Sequence, residues 1–320
     1  MNLGFWEKLP KPFLTLAPME GVTDTVFRQQ IIKLGRPDVV YTEFTNVHGM
    51  CSEGFEKVAE RLQFSKSERP IVAQIWGTEP EMFYRGAEKI AQMQFDGIDI
   101  NFGCPVREVI KTGACAAMIS EDFGIRERVK EIIRAVQEGG KLPVSVKTRI
   151  GNKRVITEDW IGFLLEQKLA AITVHGRLAA QMSKYPADWG EVGKAVQVRN
   201  RMKSPTLIIG NGDVDSRTQA ENLAKEYGTD GIMIGRGVFK NPAIFAQDGR
   251  EMTEAERLQI LVEHAEKFEQ RWGGKRPFAE MRKNIKMYVS GFAKAAELRQ
   301  KLMQAESAAE LIKISREAGV

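Results

Sequence analysis

Residues 206–237 read TLIIGNGDVDSRTQAENLAKEYGTDGIMIGRG. Two short apolar runs, Thr206–Gly210 and Gly231–Gly235, flank an amphipathic stretch, Arg217–Tyr227, and a glycine-rich turn closes each run. Runs that are apolar on both parities suit strands buried on both faces. Parallel strands need a crossover of about this length, usually a helix. The unit repeats upstream, in Phe13–Pro18, Val39–Phe44, Ile71–Trp76, Gly97–Asn101, Val144–Thr148 and Ala171–His175. Helix-like stretches such as Met82–Gln92 and Ile125–Glu138 lie between them. Eight strands alternating with helices over about 240 residues predict an α/β fold, a parallel (β/α)8 TIM barrel. A doubly wound sheet is the rival. The strand spacing, and a pattern that changes just where the eighth strand ends, favour the closed barrel.

Beyond Pro242 the pattern is helical only. Thr253 and Glu256 form a capping box, and Leu258, Leu261, Val262, Ala265, Phe268 and Trp272 follow at helical spacing. Gly273-Gly274 ends that helix. Pro277 opens a second, with Met281, Ile285, Val289 and Phe292 on one stripe, and further helices are expected over Lys294–Gln304 and Ser307–Glu317. The expected division is a barrel over 1–245 and a small all-helical C-terminal domain over 246–320.

The 320 residues are 43% apolar and 28% charged, an ordinary globular balance with length for a sizeable core. No apolar run approaches the roughly 18 residues of a membrane span. Met1–Pro12 lacks the apolar stretch of a signal peptide. Three cysteines cannot build a disulfide framework, so reduced thiols in the cytoplasm are expected. The net charge of +5 says little until it is resolved along the chain. Residues 271–301 hold nine basic and two acidic side chains, or +7, between near-neutral or acidic flanks. Arg282, Lys283 and Lys286 lie off the Met281–Ile285–Val289 stripe, so they are expected to face outward and meet an anionic partner.

Active sites of such barrels sit at the C-terminal ends of the strands. In order, those ends carry Ala17-Pro18-Met19-Glu20-Gly21, Glu43, Gln74, Asn101-Phe102-Gly103-Cys104-Pro105, Lys147 with Arg149, His175-Gly176-Arg177, Gly210-Asn211-Gly212-Asp213 and Gly235-Arg236-Gly237. Polar groups at so many ends in register are hard to explain as packing. Glycine turns after the seventh and eighth strands stand at the usual phosphate site, where backbone N–H groups can approach an anion and Arg236 adds charge. A buried, unpaired Lys147 would be costly, which again implies an anionic ligand. Free cysteines are more often small packing groups than catalysts, and on that ground alone Cys104 reads as a packing group before a catalyst. His48, His175 and His264 show no metal-ligand spacing, so no metal is expected.

Together these ends resemble the tRNA-dihydrouridine synthase family, bacterial type. The matching pieces run in family order: Ala17–Asp24, Gln74, Asp99–Pro105, Val146–Arg149, Val174–Arg177, Gly210–Asp213 and Gly235–Gly237, with Met281-Arg282-Lys283 and Leu298-Arg299 in the helical part. The resemblance implies an FMN-dependent oxidoreductase that reduces a specific uridine in tRNA to 5,6-dihydrouridine, with NADPH as electron donor. It implies hydride from flavin N5 to C6 and a proton from Cys104 to C5. A thiol of ordinary pKa, near 8.5, is still protonated at neutral pH and can serve as that acid. It further implies that Ala17, Pro18, Met19, Gln74, Lys147, His175, Asn211, Gly212, Asp213, Gly235 and Arg236 hold the cofactor. Asn101, Arg149 and Arg177 would meet the uracil, and Arg282, Lys283 and Lys286 the tRNA. Three departures stand out: Val109-Ile110-Lys111 where the family usually has an asparagine, Cys115 within the usually glycine- or serine-rich stretch beyond it, and Asn284 where relatives commonly have histidine, a change expected to touch tRNA contacts. A monomer with no membrane attachment is expected. The alternatives are an FMN barrel acting on a free pyrimidine, the same reaction on rRNA, and a non-catalytic RNA-binding relative, the last opposed by intact Cys104, Lys147 and His175.

Overall fold

The computed structural model describes residues 1–249 and 252–317. Its strands are β1 (Phe13–Leu16), β2 (Val39–Tyr41), β3 (Thr45–Asn46), β4 (Ile71–Trp76), β5 (Gly97–Asn101), β6 (Val144–Gly151), β7 (Ala171–Leu178), β8 (Leu207–Asn211) and β9 (Gly231–Ile234). All pair in parallel in the order β2-β1-β9-β8-β7-β6-β5-β4-β3. The pairing of Val40 with Ile71 joins β2 to β4 and closes an eight-stranded barrel, with the two-residue β3 outside the closure. The doubly wound alternative is thereby excluded, since an open sheet has no such joint.

Strands apolar on both parities have two jobs here. Leu14, Leu16, Ile98, Val146, Ile172 and Ile232 pack outward against helix residues such as Phe27, Ile90 and Ile132. Phe13, Val39, Val72, Ala171, Leu207 and Met233 point into the lumen. Trp6, buried to 1% exposure, sits 5.7 Å from the Phe13 ring and plugs the N-terminal end of the barrel. The opposite end stays open. Helix starts follow from side-chain caps: Asp24 accepts from the Phe27 N–H, Asp122 from Ile125, Asp188 from Glu191 and Ser216 from Gln219, at 2.8–3.1 Å.

The C-terminal part is helical as expected, with Thr253 and Glu256 reciprocally capping Glu254–Trp272. It packs on the Thr25–Leu34 helix and shares one continuous apolar cluster with the barrel's outer layer. The expected long helix after Pro277 is instead a 3-10 turn, Phe278–Glu280, followed by a short helix, Arg282–Tyr288. The helix ends at Tyr288, and the chain reaches Gly291 at φ +83°, a left-handed conformation that a glycine adopts without steric cost. The apolar stripe was real, but its periodicity did not reveal that ending. No described helix is long and apolar enough to cross a membrane.

Candidate functional site

Register brings the polar strand ends together. Asn101 lies beside Lys147, Arg149 beside His175, and His175 beside Asn211. At the open end of the lumen they surround a cavity of about 990 Å³. Every site residue expected from the sequence lines this cavity except Arg282.

The Cys104 turn is built from below. Asn101 Oδ1 accepts the N–H groups of Gly103 and Cys104, both at 2.9 Å. Asn101 Nδ2 donates to Gln74 Oε1 at 3.0 Å, and Gln74 Nε2 donates to Asp99 Oδ2 at 2.7 Å. Cys104 is 9% exposed and Cys115 1%. A hydrogen bond from the Cys115 thiol, above all, pulls the Cys104 pKa down to about 7; the Val106 N–H and the Arg149 charge help, against burial. The Cys115 thiol is pushed well up in return. Cys104 is therefore a stronger acid than the ordinary thiol assumed from sequence. The signal missed was Cys115, eleven residues on, brought back by the Cys115–Met118 3-10 turn, with Ala116 N–H donating to the Cys104 carbonyl at 3.4 Å.

Charges crowd the neighbouring strands β6 and β7. Lys147 donates to Asn211 Oδ1 at 3.1 Å, and burial, then Arg149, pushes its pKa down to about 8. Arg149 donates from Nε to the Gly103 carbonyl at 2.6 Å and from Nη1 to those of Leu178 and Met182. Burial holds the His175 pKa well below the usual range, and Lys147, Arg149, Arg177 and Arg236 add to the effect. An arginine only donates, so the 3.0 Å contact from Arg177 Nη1 makes His175 Nε2 the acceptor and leaves the ring proton on Nδ1. Arg177 also binds the Asp213 carboxylate, which accepts the Ala187 N–H at 2.8 Å and lies 3.3 Å from Arg236. Burial alone would raise the Asp213 pKa; these donors bring it below the usual carboxylate range.

The two glycine turns touch. A Cβ on Gly237 would come within 2.2 Å of the Val214 carbonyl oxygen, and Gly212 holds φ +129° with a Cβ position 2.6 Å from Ala187. Glycine at 237 lets the turn after β9 approach Val214 in the loop after β8, and glycine at 212 lets the turn after β8 pass Ala187 and His175.

The helical segment forms the outer rim. Trp272 Nε1 donates to Asp24 Oδ2 at 2.7 Å. Arg276 stacks 4.1 Å from the Trp272 ring and reaches Glu60 at 3.2 Å. This anchor sets Lys283 and Lys286 on the cavity, with Lys283 Nζ 3.0 Å from where a Gly21 Cβ would stand. The outward placement expected for Arg282 is wrong. Its Nε and Nη2 both donate to the Ala305 carbonyl, at 3.1 and 2.9 Å, in the chain that follows the helix ending at Leu302. Arg299 likewise donates to the Val289 carbonyl at 2.8 Å. Four of the nine basic side chains in the +7 stretch, Arg271, Arg276, Arg282 and Arg299, are therefore spent on other parts of the protein. Asn284 is buried, with its Nδ2 on Met281 Sδ, and presents nothing to a partner.

Sequence reasoning did not single out Phe44, Met182, Ser183 or Lys240, which also line the cavity. They stand in loops with no motif of their own. Glu43, noted only as a strand end, accepts the Gly21 N–H at 2.5 Å and braces the loop after β1. Burial, then Glu20 and Asp24, lifts its pKa to about 7. Among the described residues no cluster of His, Cys, Asp and Glu could hold a metal ion.

A closed parallel barrel with buried, tuned acids and cations converging at its C-terminal mouth defines a (β/α)8-barrel enzyme. Residues 15–318 match the dihydrouridine synthase (Dus) family, and the chain belongs to that family. A probable tRNA-dihydrouridine synthase of Staphylococcus aureus (strain COL) is 42% identical over 313 residues, 97% of this chain and 94% of the relative. A probable tRNA-dihydrouridine synthase 2 of Bacillus subtilis (strain 168) is 40% identical over 314 residues, 97% of this chain and 95% of the relative. Among solved structures, a morphinone reductase variant in complex with tetrahydroNAD superposes with TM-score 0.52 at 12% identity, covering 72% of this chain and 85% of the other. A histamine dehydrogenase from Rhizobium sp. 4-9 gives 0.53 at 11% identity, covering 78% and 48%. At such identities these two likenesses concern the fold alone.

Proposed function

We propose that this enzyme reduces a uridine in tRNA to 5,6-dihydrouridine, using FMN as bound cofactor and NADPH as electron donor. One observation carries the reading: Cys104, on a braced turn, shares a single cavity with Lys147, His175, two glycine turns and the rim lysines. The names of the relatives support tRNA as the substrate.

The residues present fit FMN. The two glycine turns that line the cavity, at Gly212 and at Gly235 and Gly237, suit a phosphate held by backbone N–H groups, with Arg236 alongside. A lysine ammonium has three donors and Lys147 spends one on Asn211, which leaves capacity for an acceptor edge carrying negative charge. His175 offers its Nδ1–H. Asp213 and Asn211 suit hydroxyl partners, and Ala17, Pro18 and Met19 give an apolar bed. When bound and reduced, FMN supplies a hydride for the pyrimidine ring.

The chain's own residues do the rest. Arg149 keeps Nη2 for a pyrimidine carbonyl, since its Nε and Nη1 are spent on backbone. Cys104 Sγ releases its proton to C5, and the Cys115 thiol then stabilises the thiolate left behind. An acid with a pKa near the working pH suits that transfer. The target base must leave its stack to reach Cys104, and Lys283 and Lys286 would hold the phosphates beside it. We assign residues 1–245 to catalysis and 246–320 to tRNA binding, in a cytoplasmic monomer.

The test offers the purified protein, with FMN and NADPH, unmodified tRNA, unmodified rRNA and free uridine, and measures dihydrouridine by mass spectrometry. Product on tRNA alone is expected. Product mainly on rRNA or on free uridine would replace the substrate, and failure to retain FMN would sink the cofactor.

A further inference from the structure

Asp99 takes no part in the chemistry described so far. It is fully buried at the centre of the lumen, beneath the cavity. Its Oδ1 accepts from the Ser145 hydroxyl at 2.6 Å and its Oδ2 from Gln74 Nε2 at 2.7 Å. The bonds above it form one directed chain, from Gln74 Oε1 to Asn101 Nδ2 and from Asn101 Oδ1 to the N–H groups of Gly103 and Cys104.

Direction matters because a primary amide can face either way and a carboxylate cannot. An ionised carboxylate only accepts. It therefore claims the NH2 of Gln74, which turns the Gln74 oxygen upward. That oxygen claims the NH2 of Asn101, which turns the Asn101 oxygen toward the two backbone donors of the Cys104 turn. Flipping either amide would set donor against donor at one end and acceptor against acceptor at the other, in a site too buried for water to relieve it.

We propose that Asp99 is a positioning residue that sets the polarity of the Gln74–Asn101 chain and so fixes the turn carrying Cys104. The proposal rests on the reading of Cys104 as the acid, but its geometry does not depend on that reading. It also gives Gln74 a role apart from the cofactor, since both ends of its amide are engaged. Burial raises the Asp99 pKa to about 6, against the Ser145 and Gln74 bonds and the Lys147 charge, so the carboxylate is mostly ionised at neutral pH.

A polarity swap tests it. In Asn101→Asp the new carboxylate can still accept from Gly103 and Cys104, but it opposes the Gln74 oxygen, and a flipped Gln74 opposes Asp99. Adding Asp99→Asn supplies a donor at the base, so the whole chain can reverse with every bond kept. The expected results, on the purified full chain, are a melting temperature several degrees lower for Asn101→Asp, faster alkylation of Cys104 by iodoacetamide, and recovery of both in the double variant. The single variant should also regain stability as pH falls. There Asp99, its folded pKa raised further by the second carboxylate, binds a proton that the unfolded chain does not, and the protonated group can donate. If the single variant gives no soluble protein, soluble protein from the double variant is the same result. A double variant that melts no higher and alkylates no more slowly than Asn101→Asp, or stays insoluble with it, overturns the proposal. None of these readouts uses uridine reduction, so they can fail while the proposed activity stands, and the reverse.

Discussion

The two walls of the cavity are built differently. On the inner wall, Gln74, Asn101, Lys147, Arg149 and His175 come from strands and are held by specific hydrogen bonds. On the outer wall, Lys283 and Lys286 are exposed on a short helix, and Arg236 has 61% of its side chain in solvent. Preorganised buried groups act on a transition state at no reorganisation cost. Exposed charges act by long-range attraction that salt screens. The inner wall should therefore govern turnover, and the outer wall binding and its salt dependence.

The largest expected effect lies on the inner wall. Cys104→Ala should retain FMN while slowing uridine reduction by about 10²–10⁴-fold, the usual worth of a general acid. Near-normal turnover there, with loss in Cys115→Ala, would move the acid to the second thiol. Next comes the outer wall. Charge reversal in Lys283→Glu with Lys286→Glu should weaken tRNA affinity about tenfold or more at low salt. It should also flatten the plot of log Kd against log salt by about 1–2 units, as fewer counterions are released. An unchanged slope would remove these lysines from the interface. Arg282 separates the walls from mere basicity: Arg282→Ala should cost about 1–2 kcal/mol of stability through the lost bonds to Ala305, with a smaller loss of tRNA affinity than the lysine pair. A larger loss would restore it as a tRNA contact. The smallest effect is a pH shift. Uridine reduction should fall as pH rises through the Cys104 pKa of about 7, because the acid must be protonated. Cys115→Ala should move the midpoint of Cys104 alkylation upward, and Cys115→Ser should largely restore it; an unmoved midpoint would detach the two thiols.

The same contrast explains what could be read from the sequence. The barrel was legible because a parallel strand buried on both faces leaves a short apolar run, and because strand ends converge whatever the loops do. Ile71–Trp76, Gly97–Asn101 and Arg217–Tyr227 match the observed bounds. The inner-wall residues followed from that convergence alone. Two things were not legible. Cys115 meets Cys104 only through a loop conformation that no periodicity records, with Cys115 itself at φ +53°. Arg282 lies on one short helix with Lys283 and Lys286, off the apolar stripe as the periodicity indicates, but periodicity does not record which distant backbone comes within reach of it. The chain after Leu302 folds back and brings the Ala305 carbonyl to its guanidinium. Charge counting located the basic segment but could not tell guanidinium groups spent on backbone carbonyls from lysines left facing the cavity.

The most direct measurement maps dihydrouridine across the tRNA and rRNA of cells that lack this protein and carry either the wild-type chain or Cys104→Ala. The account predicts that a tRNA dihydrouridine disappears with the protein, returns with the wild-type chain and stays absent with Cys104→Ala, while rRNA is unaffected. A tRNA pattern identical in all three would contradict it.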